Sequence, residues 1–248
     1  MGPVRIAVLS DIHANLAALE AVLAHAEGQG SLEAIWSLGD LVGYGPQPRE
    51  CLALLRRYTF QSVAGNHDLA ASGVIDTRAF NPAAATANHW NAAQLADADK
   101  EFLKSLPLTI TDDELALAHG SLRDPVWEYL ITLPAAIGQF QRMETPYSIV
   151  GHTHVPLVFE DAGEGSLPEY WAVGDGEIVE LGESRLILNP GSVGQPRDGD
   201  PRAAYAVLDT GAKTMTFYRV EYEIKRTQAA MHEAGLPEPL IKRLRRGR

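Results

Sequence analysis

Five short polar clusters, each directly behind an apolar run, constrain this chain more than any other feature. They are Asp11-Ile12-His13, Gly39-Asp40, Gly65-Asn66-His67-Asp68, His119-Gly120 and Gly151-His152-Thr153-His154. The apolar runs before them read as strands. In α/β sheets, ligand sites form just beyond the carboxyl ends of the strands. Five strand ends bearing Asp, Asn and His therefore predict one edge crowded with metal-ligand side chains. In extended backbone, residues two apart point to the same side. Asp11 and His13 are thus expected to reach one ion together, and His152 and His154 to reach two neighbouring ions. The glycines before Asp40, Asn66 and His152 permit tight turns.

The rest of the chain supplies a frame for that edge. Residues 5–10 read as a buried strand. Asn15 reads as an N-cap, Leu16, Leu19, Val22, Leu23 and Ala26 repeat at helical spacing, and Gly28 is a stop. Residues 33–38 read as a strand, 47–58 as a helix and 60–64 as a strand. The order β-α-β-α-β predicts helices packed on a mainly parallel sheet. Residues 79–106 read as one or two helices. Residues 109–119 suit a hairpin with Asp112-Asp113 near its turn, and residues 135–143 a short helix. Strands are expected at 147–151, 155–160, 178–180, 186–188, 203–209 and 215–222, and a surface loop at 161–168. Residues 223–246 return to helix, interrupted by Pro237 and Pro239. One domain over residues 1–248, with two facing sheets and helices outside, is the simplest architecture.

Composition excludes several classes. The chain is 46% hydrophobic and 21% charged, ordinary for a globular protein. No apolar run approaches the roughly 20 residues that span a bilayer. Residues 1–10 lack a charged n-region and a small-residue cleavage site, and read as a first strand rather than a signal peptide. The single cysteine, Cys51, has no internal disulfide partner. A cytoplasmic location without membrane contact is the expectation. The formal net charge of −11 opposes stable binding to nucleic acid. A small phosphate substrate is still compatible if bound metal supplies local positive charge. The basic stretch at 242–248 reads as a solvated helix end or a frayed terminus, and His25 and His232 as structural or exposed.

The donor set mixes carboxylate, imidazole and amide oxygen without thiolate. It favours Mn, Fe, Zn, Co or Ni over a Cys-type structural zinc or an all-oxygen calcium site.

In this order, D-x-H, G-D, G-N-H-D, H and G-H-x-H, the clusters resemble the calcineurin-like metallophosphoesterase superfamily. The segment Asn189-Pro190-Gly191-Ser192-Val193-Gly194-Gln195-Pro196-Arg197 and the Gly45-Pro46 turn resemble its small prokaryotic YfcE-like phosphodiesterase branch. The likeness spans all but about the last 25 residues. It implies an α/β (α+β) fold, a four-layer αββα sandwich of two mixed sheets flanked by helices. It also implies two divalent transition-metal ions, with manganese the first choice. One ion takes Asp11, His13 and His154, the other Asn66, His119 and His152, and Asp40 bridges both. Ions about 3.5–4 Å apart clamp the attacking and leaving oxygens of an in-line displacement. The implied nucleophile is a metal-bridging hydroxide attacking phosphorus directly. His67 is then expected to protonate the leaving oxygen or stabilise the transition state, with Asp68 orienting it.

The implied activity is a phosphodiesterase acting on a small phosphate ester, with nucleotides among the candidates. The alternatives are a dinucleoside polyphosphatase, a phosphomonoesterase or protein phosphatase, and a non-catalytic metal-binding scaffold. The motif G-D-x-V-D-R-G of the phosphatases is absent, since Asp40 leads into Leu41-Val42-Gly43-Tyr44-Gly45. Arg197, behind a Gly-rich turn, and Tyr44 are candidate substrate-binding residues. His89, Trp90 and Asn91 are candidates for a pocket wall, although packing is the simpler role for Trp90 and for Cys51. Homo-oligomerisation is left open.

Overall fold

Strand β1 (Arg5–Leu9) is apolar in its interior because both faces are covered. Ile6 and Val8 enter the layer between two sheets, while Ala7 and Leu9 meet helices behind the first sheet. The computed structural model describes residues 4–112, 114–163 and 165–248. After β1 come α1 (Leu16–Gly28), β2 (Ala34–Ser37), α2 (Pro48–Leu55), β3 (Phe60–Ser62), α3 (Asn66–Ala71), α4 (Pro82–Gln94), α5 (Asp97–Ser105), β4 (Thr109–Thr111) and β5 (Leu115–Ala118). The chain continues through α6 (Leu133–Arg142), β6 (Tyr147–Val150), β7 (Leu157–Glu160), β8 (Glu169–Ala172), β9 (Ile178–Glu180) and β10 (Leu186–Asn189). It ends with β11 (Ala203–Asp209), β12 (Thr214–Val220), α7 (Ile224–Glu233) and α8 (Glu238–Arg243).

Two six-stranded sheets form, in the orders β3-β2-β1-β11-β12-β9 and β4-β5-β6-β10-β7-β8. Both are mixed. In the first, β1, β2 and β3 run parallel, and β11 joins β1 antiparallel. In the second, β5, β6 and β10 run parallel, with β4 and β7 antiparallel beside them. Val8, Leu38 and Val63 of the first sheet meet Leu117, Ile149 and Leu188 of the second in one buried layer. Helices α1 and α2 cover the outer face of the first sheet through Leu19, Val22, Leu23, Leu52 and Leu55. On the far side, α6 sets Ala136 and Phe140 against Val150, Phe159 and Ile187. The layers are therefore helix, sheet, sheet, helix, which is the αββα sandwich expected from the sequence. No helix among the described residues is long and apolar enough to cross a membrane.

Several expectations change in detail. Residues 79–106 form two helices, α4 and α5. The hairpin of β4 and β5 forms, while Asp113 lies outside the described residues. Strand β8 was not anticipated. It sits at a sheet edge with mostly exposed side chains, so it carries little apolar signal. Helix α3 was not anticipated either; it begins at Asn66, so Gly-Asn-His-Asp is a helix entrance rather than a strand-end loop. Pro237 and Pro239 open α8, at the helix end where a missing N–H costs little. Through Leu240, Ile241 and Leu244, α8 packs with α7, α4 and Tyr44. The basic segment is thus anchored in a core, not a frayed terminus. Lys242, Arg245, Arg246 and Arg248 are exposed, but Arg243 is half-buried.

Candidate metal centre

The carboxyl ends of β1, β2, β3, β5, β6 and β10 converge where the two sheets meet. Beyond the strands, backbone pairing continues into the loops. The amides of Asp11, His13 and Ala14 donate to the carbonyls of Gly39, Asp40 and Leu41. Val193 and Gly194 donate to the carbonyls of Ser10 and Asp11, lacing the loop after β10 onto the loop after β1. This support holds unusual backbone. Asp11, His13, Asp40, His152 and His154 all have positive φ, between 49° and 64°. Non-glycine residues adopt this region uncommonly, and outliers of this kind cluster at functional sites. The expectation of an extended segment around Asp11 and His13 is therefore corrected. The side chains converge through consecutive left-handed turns, not through strand alternation.

Three overlapping groups of donors result, one of which, His13, Asp40 and His67, adds His67 to residues shared with the other two. Asp11, His13 and His154 offer ligand atoms that lie within 4.8 Å of one another, and so do Asp40, His119 and His152. Asp40 stands between them, with Oδ2 3.4 Å from His119 Nε2 and 3.7 Å from His13 Nε2. Asn66 Oδ1 is 3.2 Å from His119 Nε2, which places the amide in the second group. His152 and His154 fall into different groups, although only Thr153 separates them. All seven side chains are buried.

The donor orientations fit cations. His13, His119 and His154 each turn Nδ1 to a backbone carbonyl, of Val42 at 3.1 Å, Leu38 at 2.8 Å and Gln195 at 2.6 Å. Nδ1–H then donates outward and Nε2 faces the centre, with its lone pair free in neutral His13 and His154 and available in His119 once its second proton leaves, the usual arrangement of metal-binding imidazole. The Nε2 atoms of His13 and His154 lie 3.2 Å apart. Two such acceptors cannot hydrogen-bond to each other, and a cation between them removes the conflict. Asp11 Oδ2 accepts from Ser10 Oγ and the His152 amide, while its buried Oδ1 has no hydrogen-bond donor. Asp11 Oδ1 lies 3.2 Å from His154 Nε2, aimed into the first group.

Electrostatics match that geometry. Burial alone would raise the Asp11 and Asp40 carboxyls, but the surrounding histidines hold both well below the usual range. Burial keeps His13 and His154 neutral, and drives His152 down to about 3. His119 is the exception. Burial opposes its charge, but Asp40 and then Asp11 outweigh this and push it up to about 9. Without a metal, a proton on His119 neutralises part of the charge that a cation would neutralise when bound.

His67 lies beside the first group, its ring centroid 5.0 Å from that of His13. It stacks on Phe80 at 4.7 Å and contacts Tyr44 at 4.4 Å. Burial, opposed by Asp40, lowers it to about 4. Asn88 Nδ2 sits 3.4 Å from His67 Nδ1 and donates to the His67 carbonyl at 2.9 Å. A Cβ on Gly43, at φ +91°, would overlap the His67 ring, so only glycine fits there. No hydrogen bond joins Asp68 to the ring. Its carboxylate accepts from the amides of Val42 and Gly65, both at 3.1 Å, and ties the loop after β2 to the start of α3. The side chain placed beside the His67 ring is Asn88, and Asp68 acts on the neighbouring backbone. Burial and the nearby Asp40 charge raise Asp68 to about 7.

Of the proposed pocket wall, Asn91 is fully buried and structural. Its Oδ1 accepts from Gly43, and its Nδ2 donates to the carbonyls of Gly45 and Ala87. His89 turns outward to Thr77, and Trp90 packs into the cluster around α8. The residue of α4 that reaches the centre is Asn88, one turn before Asn91 on the same face. Tyr44 is buried against His13 at 4.6 Å, and burial raises its hydroxyl pKa. Arg197 Nη2 donates to Tyr44 Oη at 3.4 Å. Two aromatic residues missed by the sequence reading flank the centre. Tyr129 is exposed and stacks on His152 at 4.1 Å, while Trp127 lies against Phe80 at 5.5 Å. Neither follows a motif, and both come from the irregular loop between β5 and α6. His25 bonds Tyr205 Oη at 2.7 Å, and Cys51 is packed in the core.

Comparison with known proteins agrees with this architecture. The calcineurin-like phosphoesterase superfamily domain matches residues 4–213. A metallophosphoesterase from Sphaerobacter thermophilus is 47% identical, covers the whole of both chains and superposes with a TM-score of 0.89. An uncharacterized protein of Methanocaldococcus jannaschii is 38% identical over 98% of both chains. A symmetrical bis(5′-nucleosyl)-tetraphosphatase of Pectobacterium atrosepticum is 30% identical over 73% of this chain and 62% of its own length. The similarity to the Sphaerobacter thermophilus protein extends through the last 25 residues, beyond the motifs that carry the family resemblance. The chain belongs to the calcineurin-like phosphoesterase superfamily.

Proposed function

We propose that this protein is a binuclear-metal phosphodiesterase that hydrolyses a small phosphate ester. The observation that carries this reading is the pair of buried donor groups with Asp40 Oδ2 set between them. Asp11, His13 and His154 would hold one ion, and Asn66, His119 and His152 the other, with Asp40 shared. When bound, such a pair activates a water and neutralises charge on the phosphoryl oxygens. The protein's own contribution is positional. Backbone carbonyls fix the imidazole orientations, and the laced loops hold the carboxylates in place. His67, lowered to about 4 by burial and so neutral at neutral pH, would offer a ring N–H as a hydrogen bond to a leaving oxygen near Asp40. Tyr44 and Arg197 would contact the non-reacting phosphoryl oxygens. Manganese is the first metal to test, and the cytoplasm is the location this chemistry suits.

The test is hydrolysis of bis-p-nitrophenyl phosphate by protein loaded with Mn²⁺. The diester should turn over faster than p-nitrophenyl phosphate, and Asp40→Ala or His67→Ala should nearly abolish it. No metal-dependent hydrolysis of either ester sinks the enzyme. Faster monoester turnover keeps the enzyme and rejects the phosphodiesterase. A second reading, hydrolysis of a dinucleoside polyphosphate, draws on the name of the tetraphosphatase relative.

A further inference from the structure

Beside the centre, two arginines gather on one neutral oxygen. Arg197 Nη2 and Arg243 Nη1 both donate to Gln195 Oε1, each at 3.1 Å. Arg197 comes from the loop after β10, and Arg243 from the last residue of α8. Like charges held together in a partly buried place repel unless an anion or a carboxylate compensates them. Elsewhere on this acidic chain many arginines find such partners. Arg202 pairs with Asp175 and Asp200, and Arg219 with Asp198. Among the described residues no Asp or Glu pairs with Arg197 or Arg243, although Arg243 Nε donates to the terminal oxygen of Arg248 at 2.5 Å. Arg197 Nε is moreover buried without a hydrogen-bond acceptor.

The position ties this pair to the chemistry. The Gln195 backbone carbonyl holds His154 Nδ1, while its side chain holds both guanidinium groups. Tyr44 bridges the remaining gap, packed on His13 and reached by Arg197. On its other side Arg243 borders an open groove of about 670 Å³, lined also by Asn81, Arg246, Arg248 and the Lys242–Glu238 ion pair. A ligand in the groove would reach Arg243 from solvent, and Arg197 shares the Gln195 oxygen with Arg243.

Resting on the hydrolase reading above, the geometry points to Arg197 and Arg243 as a subsite for a second phosphoryl group of the substrate. The scissile phosphate lies at the metal centre, and a neighbouring phosphate of the same molecule lies in the fork of the two guanidinium groups. Guanidinium offers paired donors that match phosphate oxygens. The preferred substrate class is a phosphate ester or anhydride with at least two phosphoryl groups, and α8 supplies half of its recognition.

Calorimetric titration of inorganic pyrophosphate into the metal-free protein tests this without catalysis. Wild-type protein should bind it, and tighter than orthophosphate. Arg197→Gln and Arg243→Gln should each weaken binding about tenfold or more. Arg245→Gln, an exposed charge just past the same helix, should change it less than twofold. Arg243→Lys keeps the charge but loses the fork, and should recover only part of the affinity; it also reads the subsite if Arg243→Gln fails to fold. The subsite is overturned if wild type does not bind pyrophosphate, if orthophosphate binds as tightly, or if Arg245→Gln loses as much as Arg243→Gln. Turnover of bis-p-nitrophenyl phosphate by the Mn²⁺-loaded protein reads the hydrolase separately. Turnover without pyrophosphate binding removes the subsite alone, and binding without turnover removes the hydrolase alone.

Discussion

At the residue scale, His119 links the protonation state of the site to metal uptake. Asp40 and Asp11 push it to about 9 in the metal-free protein, so it carries a proton at neutral pH. His13 and His154 are held below their usual range and His152 at about 3, so these are already free to coordinate. On the proposed ligand assignment, uptake of the second ion must expel the proton of His119. Below about pH 9 the protonated form dominates, so affinity should rise about tenfold per pH unit and level off above that value. Calorimetry of Mn²⁺ binding in buffers of different ionisation enthalpy should find about one proton released per protein at pH 7. A flat affinity profile would remove His119 from the ligand set. The same scale separates His67 from its supports. His67→Ala should lower kcat by about 10²–10⁴-fold while the bound metal content stays unchanged. Asn88→Ala, which frees the His67 ring, should cost kcat less than His67→Ala does, again with metal retained. The residue types of this site were legible from the clusters, because ligand chemistry selects Asp, Asn and His. The conformation was not, because a positive φ at Asp11 or Asp40 depends on hydrogen bonds to loops distant in sequence.

At the element scale, the first β-α-β of the fold was readable because β1 is a short apolar run and α1 has its cap. Asn15 is the clearest case. Its side chain accepts from the Ala18 amide at the start of α1, as an N-cap should. Beyond the cap, its Nδ2 donates to the Gly194 carbonyl, and its Oδ1 accepts from Thr227 Oγ1 at 2.8 Å. One buried amide therefore fixes α1, the loop after β10 and α7. Those long-range contacts leave no local trace, and for the same reason α3 and β8 escaped the pattern of apolar spacing. Removal of an N-cap costs about 1 kcal/mol, and loss of further buried hydrogen bonds adds a comparable amount. Asn15→Ala should destabilise the protein by about 2–4 kcal/mol, measured by urea unfolding, where Asn15→Ala leaves the Gly194 carbonyl and Thr227 hydroxyl unpaired. A loss below about 1 kcal/mol would mean that water replaces both contacts.

At the scale of the whole molecule, two sheets built from different parts of the chain meet at the candidate centre. The first sheet brings Asp11, His13, Asp40 and Asn66, and the second brings His119, His152 and His154. The two groups assigned to the ions each draw on both sheets: His154 joins Asp11 and His13, and Asp40 joins His119 and His152. Ions held there would therefore fasten one sheet to the other, in addition to the apolar layer between them. Unfolding would separate the donors, so metal that binds the native state alone raises stability by mass action, about 2.7 kcal/mol at a hundred times Kd. For a chain of this length that corresponds to a rise in Tm of about 5–10 °C. Chelation should reverse the rise. Asp40→Asn, which removes the shared carboxylate, should abolish most of it, whereas a substitution on the outer helices should lower Tm equally with and without metal. If Mn²⁺ leaves Tm unchanged while still supporting hydrolysis, the ions bind too weakly to join the sheets, and the apolar layer alone sets the cohesion of the molecule.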